Sequence, residues 1–238
     1  MEAIVLAGGL GTRLRAAVPD LPKPLAPVAG RPFLERLLDF WIGQGVTGII
    51  LSVGYRHEAI QAHFGKAHRR VPVRYAVEDR PRGTGGGLLL AAEQLSGRDA
   101  FLVLNGDTWF EVPLATLSKF HASRRSDLSL SLFRSPQDGR YSGLRIGKDG
   151  EVLSLVTGEK GGLANGGVYL MERNLLEGGP RPGSTPLSFE EDILPMALGA
   201  GKRIYGLECG GRFLDIGVPE DYARAGEWFD ARETSGKR

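Results

Sequence analysis

A short apolar segment at the start of the chain runs into a cluster of glycines. Residues 3–6 are continuously apolar, too few for a helix, and we interpret them as a buried strand of the kind found in parallel sheets. Gly8, Gly9 and Gly11 follow. Without a Cβ, the backbone there can adopt positive φ and turn several amide N–H groups toward one point. This feature predicts an anion-binding loop at the end of a strand.

Two cations follow the glycine loop. Arg13 comes directly after it, and Lys23 lies between Pro22 and Pro24, which restrict the backbone around the lysine. The dinucleotide fingerprint is excluded because Leu14 stands at its third glycine, and the Walker A loop is excluded because Arg13 stands at its second. The alternative is a flexible turn with solvated charges, but the combination of glycines, cations and prolines favours binding of a polyphosphate.

Composition limits the classes of partner. The 238 residues are 42% hydrophobic, which is enough for a sizeable core, and we expect one domain spanning residues 1–238. The net charge of +2, from 30 basic and 28 acidic residues, argues against a general nucleic-acid or membrane surface. The single cysteine, Cys209, excludes an internal disulfide. We find no signal peptide or membrane span, so we expect a cytoplasmic protein.

Strand and helix patterns alternate along the first half of the chain. They predict an α/β fold with a mostly parallel sheet, helices on both faces, and ligands beyond the carboxyl ends of the strands. Residues 128–156, with a hairpin turn at 148–150, are expected to form an antiparallel addition, and we find no internal repeat. Besides the first strand, the patterns predict helices at residues 32–43, 58–64, 86–94, 114–123, 190–198 and 219–229, strands at 48–53, 71–77, 101–104, 128–133, 144–146, 152–156, 165–171, 204–207 and 212–216, and a polar tail at 231–238.

Two acidic residues end predicted strands. Asp107 follows a buried strand through the tight turn Asn105-Gly106, and Asp215 ends a later short strand. Mg²⁺ binds through one or two carboxylates together with substrate oxygens and water. The pair therefore predicts a magnesium site. From the sequence alone, each aspartate could instead have a structural role, and whether the two lie close together is left open.

Other catalytic chemistries lack their motifs. The sequence contains neither H-E-x-x-H nor G-x-S-x-G. We interpret the four histidines (His57, His63, His68 and His121) as surface residues and Cys209 as a small core or loop residue.

The segments 8–14 and 22–25, Gly-Gly-Leu-Gly-Thr-Arg-Leu and Pro-Lys-Pro-Leu, are similar to the signature of the sugar-1-phosphate nucleotidyltransferases. The resemblance implies a three-layer α/β/α Rossmann-like nucleotidyltransferase fold with a mixed, mainly parallel sheet and a small antiparallel insertion. It divides the domain into a nucleotide-binding half (1–125), a sugar-phosphate-binding half (126–230) and the tail. It also implies a reaction for cell-surface polysaccharide synthesis: the phosphate of a sugar 1-phosphate attacks the α-phosphorus of a nucleoside triphosphate, pyrophosphate leaves, and Mg²⁺ is the cofactor.

Three further segments, 20–24, 30–34 and 215–222, resemble the members of this family that transfer guanylyl to D-glycero-α-D-manno-heptose 1-phosphate. Mannose-1-phosphate guanylyltransferases and N-acetylmuramate-1-phosphate uridylyltransferases are the alternatives within the family. A regulatory subunit that binds nucleotide sugars without catalysis is the alternative outside the enzymes. The expected partners are the two substrates, with no nucleic acid or membrane, and a homo-oligomer is left open.

The resemblance carries roles onto individual positions. Arg13, Lys23 and Asp107 would be catalytic, and Asp107 and Asp215 would bind the metal. The nucleotide site would contain Leu6, Ala7, Gly8, Gly9, Gly11, Thr12, Arg13, Glu78, Gly83 and Thr84. The sugar-phosphate site would contain Lys23, Asn105, Gly106, Glu159, Lys160, Asn165, Gly166 and Glu190. Glu78 favours GTP, because a carboxylate accepts both the N1–H and N2–H₂ donors on one edge of guanine.

Overall fold

The computed structural model describes residues 1–9, 11, 14, 18, 21–97, 99–135, 141, 143–156, 162–179, 185–217 and 219–235. The strands are β1 Glu2–Leu6, β2 Pro27–Val28, β3 Arg31–Pro32, β4 Gly48–Val53, β5 Ala67–His68, β6 Val71–Val77, β7 Phe101–Asn105, β8 Thr108–Phe110, β9 Leu128–Arg134, β10 Gly143–Ile146, β11 Val152–Val156, β12 Leu163–Met171, β13 Ile204–Glu208 and β14 Phe213–Asp215. The α-helices are α1 Phe33–Gly43, α2 His57–Phe64, α3 Gly83–Ala92, α4 Leu114–Arg124, α5 Leu194–Gly199 and α6 Pro219–Ser235. Short turns of 3₁₀ helix lie at Lys23–Leu25 and Arg173–Leu175, and a π-helical turn lies at Phe189–Ile193.

Among the described residues, ten strands form one central sheet. Its middle is parallel, with β7, β1, β4 and β6 side by side in that order. Strand β12 pairs antiparallel with both β7 and β9, and β9 pairs in parallel with β13. The antiparallel β10–β11 hairpin and β5 extend the two ends. The prediction of a mixed, mainly parallel α/β sheet is confirmed, and the expected antiparallel addition continues this same sheet.

Both faces of the sheet are buried. In β1, Ala3 and Val5 belong to one apolar cluster, and Ile4 belongs to a second one, because successive strand residues point to opposite faces. The first cluster includes side chains of α1, α2 and α6, and the second includes side chains of α3 and α5. Helices thus cover each face, as in a three-layer α/β/α arrangement. Within the described residues, no helix combines the length and the apolar character that crossing a bilayer would need.

Three predicted helices differ in detail, and the one predicted at residues 86–94 is α3, Gly83–Ala92. Helix 190–198 is instead a π-helical turn followed by α5. Pro195 has no N–H to donate to the Glu191 carbonyl, which disfavours a continuous α-helix from residue 190 and places Pro195 in the first turn of α5. The hydroxyl of Ser188 accepts a hydrogen bond from the Glu191 N–H at 3.0 Å and caps the turn. Helix α6 continues to Ser235 and takes in part of the expected tail; residues 236–238 lie outside the described chain.

The interpretation of all four histidines as surface residues is wrong for His121. Its side chain is buried, with Nδ1 2.9 Å from Ser129 Oγ and Nε2 3.3 Å from Glu172 Oε1. Polar partners on β9 and after β12 explain how a helical histidine can face the sheet. Cys209 is partly buried, and burial raises the pKa of its thiol to about 11, which disfavours a thiolate nucleophile.

Candidate active site

A cavity of about 280 Å³ opens at the carboxyl ends of the parallel strands. This is the position at which ligands bind in open α/β sheets. Most of its lining residues are predicted nucleotide-site residues, joined by the predicted Asn105 and Asp107. The lining consists of Leu6, Gly8, Gly9, Ser52, Glu78, Pro81, Gly83, Thr84, Gly87, Asn105 and Asp107.

Glu78 follows β6 and is held on both carboxylate oxygens. Ser52 Oγ donates to Oε1 at 3.2 Å, and the Arg82 backbone N–H donates to Oε2 at 3.0 Å. A Cβ at Gly8 would lie 2.5 Å from Oε1, and one at Gly87 would lie 2.8 Å from it. The absence of a side chain at both glycines therefore provides the space that the Glu78 carboxylate occupies beside the cavity.

The start of α3 is fastened to the segment before the π-helical turn. Gly83 has a φ of +75°, and a Cβ there would collide with the Leu187 carbonyl oxygen. That oxygen accepts a hydrogen bond from the Gly85 N–H at 2.8 Å, and the Leu187 N–H donates to the Arg82 carbonyl at 2.8 Å. Only glycine fits this close backbone approach without strain, so the fold requires glycine at position 83, which also lines the cavity.

Lys23 and Asp107 form an ion pair beside the cavity. The Lys23 Nζ lies 2.5 Å from Asp107 Oδ2. A Cβ at Gly11 would lie 2.9 Å from the Lys23 Cβ, so the glycine loop is next to the lysine. The Gly106 N–H donates to the Leu6 carbonyl at 2.9 Å and joins the ends of β7 and β1. Thr12 and Arg13, the remaining predicted members of this loop, lie outside the described residues.

A strand that the sequence analysis missed brings Asp215 to the same place. Strand β8 pairs antiparallel with β14, with Asp215 opposite Thr108, and the Ile216 N–H donates to the Asp107 carbonyl at 3.0 Å. The position of a Cβ on Gly217 lies 2.5 Å from Lys23 Nζ and 2.7 Å from Asp215 Oδ1. The lysine and both predicted metal-binding aspartates are therefore neighbours.

Asp215 also lines a second cavity. This cavity of about 650 Å³ lies at the ends of β9 and β13, and its walls include Phe133, Tyr141 and Phe213. Asp107 lines the smaller cavity on the nucleotide side. The two carboxylates thus stand at the boundary between the cavities.

Three of the predicted sugar residues, Asn105, Asn165 and Glu190, lie around the hydroxyl of Tyr169. Asn165 Nδ2 is 2.6 Å from the Tyr169 hydroxyl oxygen, and that hydroxyl donates to Glu190 Oε1 at 3.1 Å. The Asn105 side chain also hydrogen-bonds to Tyr169. The predicted turn at Asn165-Gly166 is an irregularity inside β12, where the pairing with β9 shifts between residues 165 and 169. Glu159 and Lys160 lie outside the described residues.

Sequence reasoning missed three residues that shape these sites: Ser52, Gly87 and Tyr169. Ser52 is the one polar residue in the otherwise apolar Gly48–Val53 strand, and this break in the pattern is a usable signal. Gly87 lies in a run of glycines that had been interpreted as a helix start. Tyr169 offers no local signal, because an aromatic residue in a buried strand is ordinary core.

Relatives of known description match the chain over nearly its whole length. A family model described as Nucleotidyl transferase matches residues 2–230. The chain is 38% identical to a D-glycero-alpha-D-manno-heptose 1-phosphate guanylyltransferase from Aneurinibacillus thermoaerophilus, over 94% of this chain and 96% of that protein. It is 33% identical to a mannose-1-phosphate guanylyltransferase from Mycobacterium tuberculosis, over 94% of this chain but only 63% of that longer protein.

Solved structures of similar sequence also match the chain over nearly its whole length. The crystal structure of HddC from Yersinia pseudotuberculosis superposes with a TM-score of 0.84 at 35% identity, covering 96% of this chain and 99% of that one. The structure of the same protein complexed with GMP-PN gives a TM-score of 0.83 at 35% identity, with the same coverage of both chains. With the family match spanning almost every residue, this chain belongs to the nucleotidyl transferase family.

Proposed function

We propose that this chain transfers guanylyl from GTP to D-glycero-α-D-manno-heptose 1-phosphate, giving the GDP-sugar and pyrophosphate. The observation that carries the proposal is the meeting of Glu78, the glycine loop and Asp107 in one cavity beside Lys23. The full-length similarity to guanylyltransferases named for this sugar supports the choice of substrates. GTP is a cytoplasmic substrate, so a cytoplasmic location is part of the proposal.

The reaction needs alignment and charge neutralisation more than proton transfer. The attacking sugar phosphate is already an anion, so no general base is required, and negative charge accumulates as it approaches the triphosphate. Lys23 would hold the sugar phosphate against the glycine loop, whose amide N–H groups would bind the triphosphate. By resemblance, Arg13 would hold the triphosphate from the other side.

The donor set beside Lys23 fits a magnesium ion. Asp107 and Asp215 offer hard carboxylate oxygens, and the Lys23 ammonium already lies against one of them. Within the described residues, no group of three or more histidine, cysteine or acidic side chains is arranged to hold a metal. Two carboxylates with substrate oxygens and water are the usual magnesium set at phosphate sites. When bound, Mg²⁺ would neutralise charge on the phosphate oxygens.

Glu78 would select guanine. Each of its oxygens has one protein donor, from Ser52 or from the Arg82 backbone. A carboxylate oxygen can accept a second hydrogen bond. The two free acceptor positions match the N1–H and N2–H₂ donors of guanine, and uracil or thymine would offer only one donor to the pair.

The sugar hydroxyls would be recognised by side-chain amides and a carboxylate. Asn105, Asn165 and Glu190 are all partly exposed and lie around the Tyr169 hydroxyl. Donors and acceptors in alternation suit a polyhydroxylated ligand, since each hydroxyl both donates and accepts. Glu159 and Lys160 would add a hydroxyl acceptor and a phosphate cation by resemblance.

The test is a substrate matrix. Pyrophosphate release is measured with GTP, UTP, dTTP, CTP and ATP, each against the 1-phosphates of the heptose, mannose and N-acetylmuramate, with Mg²⁺ or with EDTA. We expect GTP with the heptose 1-phosphate to give the highest kcat/KM, and EDTA to abolish turnover. A preference for mannose 1-phosphate would instead indicate a mannose-1-phosphate guanylyltransferase, and a preference for UTP would indicate an N-acetylmuramate-1-phosphate uridylyltransferase. Release from no combination would support a regulatory subunit and overturn the proposal.

Base selection is tested with ITP, which keeps N1–H but lacks the N2 amine. The wild type should prefer GTP over ITP by about 10-fold or more, the size of one hydrogen bond to a charged acceptor. Glu78→Gln should reduce that preference. Asp79→Asn is the matched control, since Asp79 is exposed and pairs with Arg82 outside the cavity. An unchanged GTP-to-ITP ratio in Glu78→Gln would remove Glu78 from base recognition.

A further inference from the structure

One buried hydroxyl lies at the centre of the residues assigned to the sugar. The side chain of Tyr169 has no solvent exposure. Its hydroxyl donates to Glu190 Oε1 at 3.1 Å and accepts a hydrogen bond from Asn165 Nδ2 at 2.6 Å. The Asn105 side chain is its third partner. The three side chains that would face the sugar therefore share one internal contact.

This phenol has polar partners of both kinds. A tyrosine hydroxyl has one donor and two acceptor positions; Glu190 accepts from the hydroxyl, Asn165 donates to it, and the Asn105 side chain is a further polar neighbour of the same oxygen. Burial, with the facing Glu190 carboxylate, raises the pKa of Tyr169 well above its usual value, so the hydroxyl keeps its proton and remains a donor. The directions of the bonds to Glu190 and Asn165 are consequently fixed.

The shared contact orients each partner. Asn165 is held at both ends of its amide, because its Oδ1 accepts from the Gly167 N–H at 3.1 Å while its Nδ2 donates to the tyrosine. One amide N–H of Asn165 is left to face a ligand. Glu190 is similarly held, since Thr84 Oγ1 lies 3.4 Å from its Oε2.

The backbone is distorted at the point that makes this contact. Asn165 pairs with Leu132 and Tyr169 with Leu130, so β12 has two more residues than β9 over this stretch. Residues four apart in a regular strand are about 13 Å apart, yet these two side chains touch. Gly167 takes a φ of +72° inside the irregularity, and a Cβ there would lie 2.8 Å from Asn105 Nδ2. Such bulges re-aim side chains beside functional sites.

We propose that Tyr169 is the positioning residue of the sugar 1-phosphate subsite, setting the orientation of Asn105, Asn165 and Glu190 without touching the sugar. This inference rests on the proposed function. Because the hydroxyl is sealed from solvent, its influence on the substrate passes through its three partners. The nucleotide contacts at Glu78 and the glycine loop do not involve it.

Tyr169→Phe keeps the ring and removes only the hydroxyl. We expect the KM for the sugar 1-phosphate to rise by about 5- to 30-fold, the effect of losing one or two hydrogen bonds, and the KM for GTP to stay within about twofold. Tyr75→Phe is the matched control, since the Tyr75 hydroxyl donates to the Gly65 carbonyl at 2.6 Å on β6, away from both substrate sites. It should leave both KM values unchanged.

A double-mutant cycle separates positioning from general destabilisation. In a Glu190→Ala background, Tyr169→Phe should raise the sugar KM by less than it does alone, because residues that act through one another are not additive. Equal shifts in the KM for GTP and for the sugar, full additivity in the cycle, or no shift at all would each overturn the inference while the wild type remains active. A wild type that turns over no sugar 1-phosphate would instead overturn the proposed function, and this inference with it.

Discussion

The two ends of the central sheet use similar residues in opposite ways. At the carboxyl ends of the parallel strands, Glu78 and Asp107 line a cavity and retain acceptor positions. At the amino ends, acidic side chains are hydrogen-bonded to, or ion-paired with, other groups of the protein. Asp127, just before β9, takes three hydrogen bonds from Arg203: from its backbone N–H at 2.8 Å and from its guanidinium at 3.0 and 3.2 Å.

Glu2, at the amino end of β1, follows the same rule. It pairs with Arg74 and accepts a hydrogen bond from the Ser96 N–H at 2.8 Å. Burial disfavours the charged form of Glu2, but these contacts outweigh it and lower its pKa. A carboxylate at a strand end therefore indicates function only when the structure leaves it able to accept a further hydrogen bond or bind a ligand. Changes at the carboxyl end should therefore affect turnover, and changes at the amino end should affect stability.

The largest effect is expected for Asp107→Asn. Loss of the carboxylate removes both a proposed metal ligand and the partner of Lys23, and kcat for guanylyl transfer should fall by at least about 100-fold, the scale of losing one preorganised contact to a transition state. The free energy of unfolding should change by less than about 1 kcal/mol, because the pair is partly exposed. Pyrophosphate release and urea denaturation measure the two quantities. Retained turnover would show that Asp107, at the carboxyl end of the strands, is not needed for the reaction.

The same substitution at the other end, Asp127→Asn, should have the reverse outcome. Only 8% of the Asp127 side chain is exposed, and the amide places donors against the Arg203 guanidinium. The free energy of unfolding should fall by about 1 to 3 kcal/mol, the cost of disrupting a buried hydrogen-bonded acceptor. Turnover per folded molecule should match the wild type. A loss of turnover without a loss of stability would show that the two ends are not separate in role.

The smallest effect is a pH dependence at His121. Burial lowers the pKa of His121, outweighing the opposite influence of Glu172 and Asp127. The unfolded chain therefore takes up this proton at a higher pH than the folded chain does, and folded stability should decline as the pH falls through about 6.5. Between pH 7.5 and pH 5.5, the free energy of unfolding measured by urea denaturation should decline less in His121→Gln than in the wild type. The exposed His63→Gln is the control, and equal declines in wild type and His121→Gln would contradict this account.

The sequence was sufficient for features that depend on local periodicity. The strands at residues 48–53, 71–77 and 152–156 have the predicted bounds, because each is a mainly apolar segment of strand length. The glycine loop and the aspartates were identified from residue type and position after a strand. Strand β8 was missed because three residues carry no period, and its partner β14 lies about a hundred positions later.

Long-range hydrogen bonds account for the other differences. Tyr169 and His121 both lie on elements that were predicted, and both looked ordinary in their local pattern. What distinguishes them is the set of polar partners that the fold brings from other strands and turns. Local sequence patterns indicate which face of a helix or strand is buried. They do not indicate which polar groups, distant in the sequence, lie against that face.

The central claim is that Asp107 and Asp215, brought together by the β8–β14 pair, bind one divalent metal with the nucleotide. The direct measurement is titration of Mn²⁺, a paramagnetic substitute for Mg²⁺ with the same preference for oxygen ligands, into protein saturated with a non-hydrolysable GTP analogue and followed by electron paramagnetic resonance. Asp107→Asn and Asp215→Asn should each weaken Mn²⁺ binding by at least about tenfold, and Asp127→Asn should bind as the wild type does. Wild-type affinity in Asp215→Asn would contradict the account.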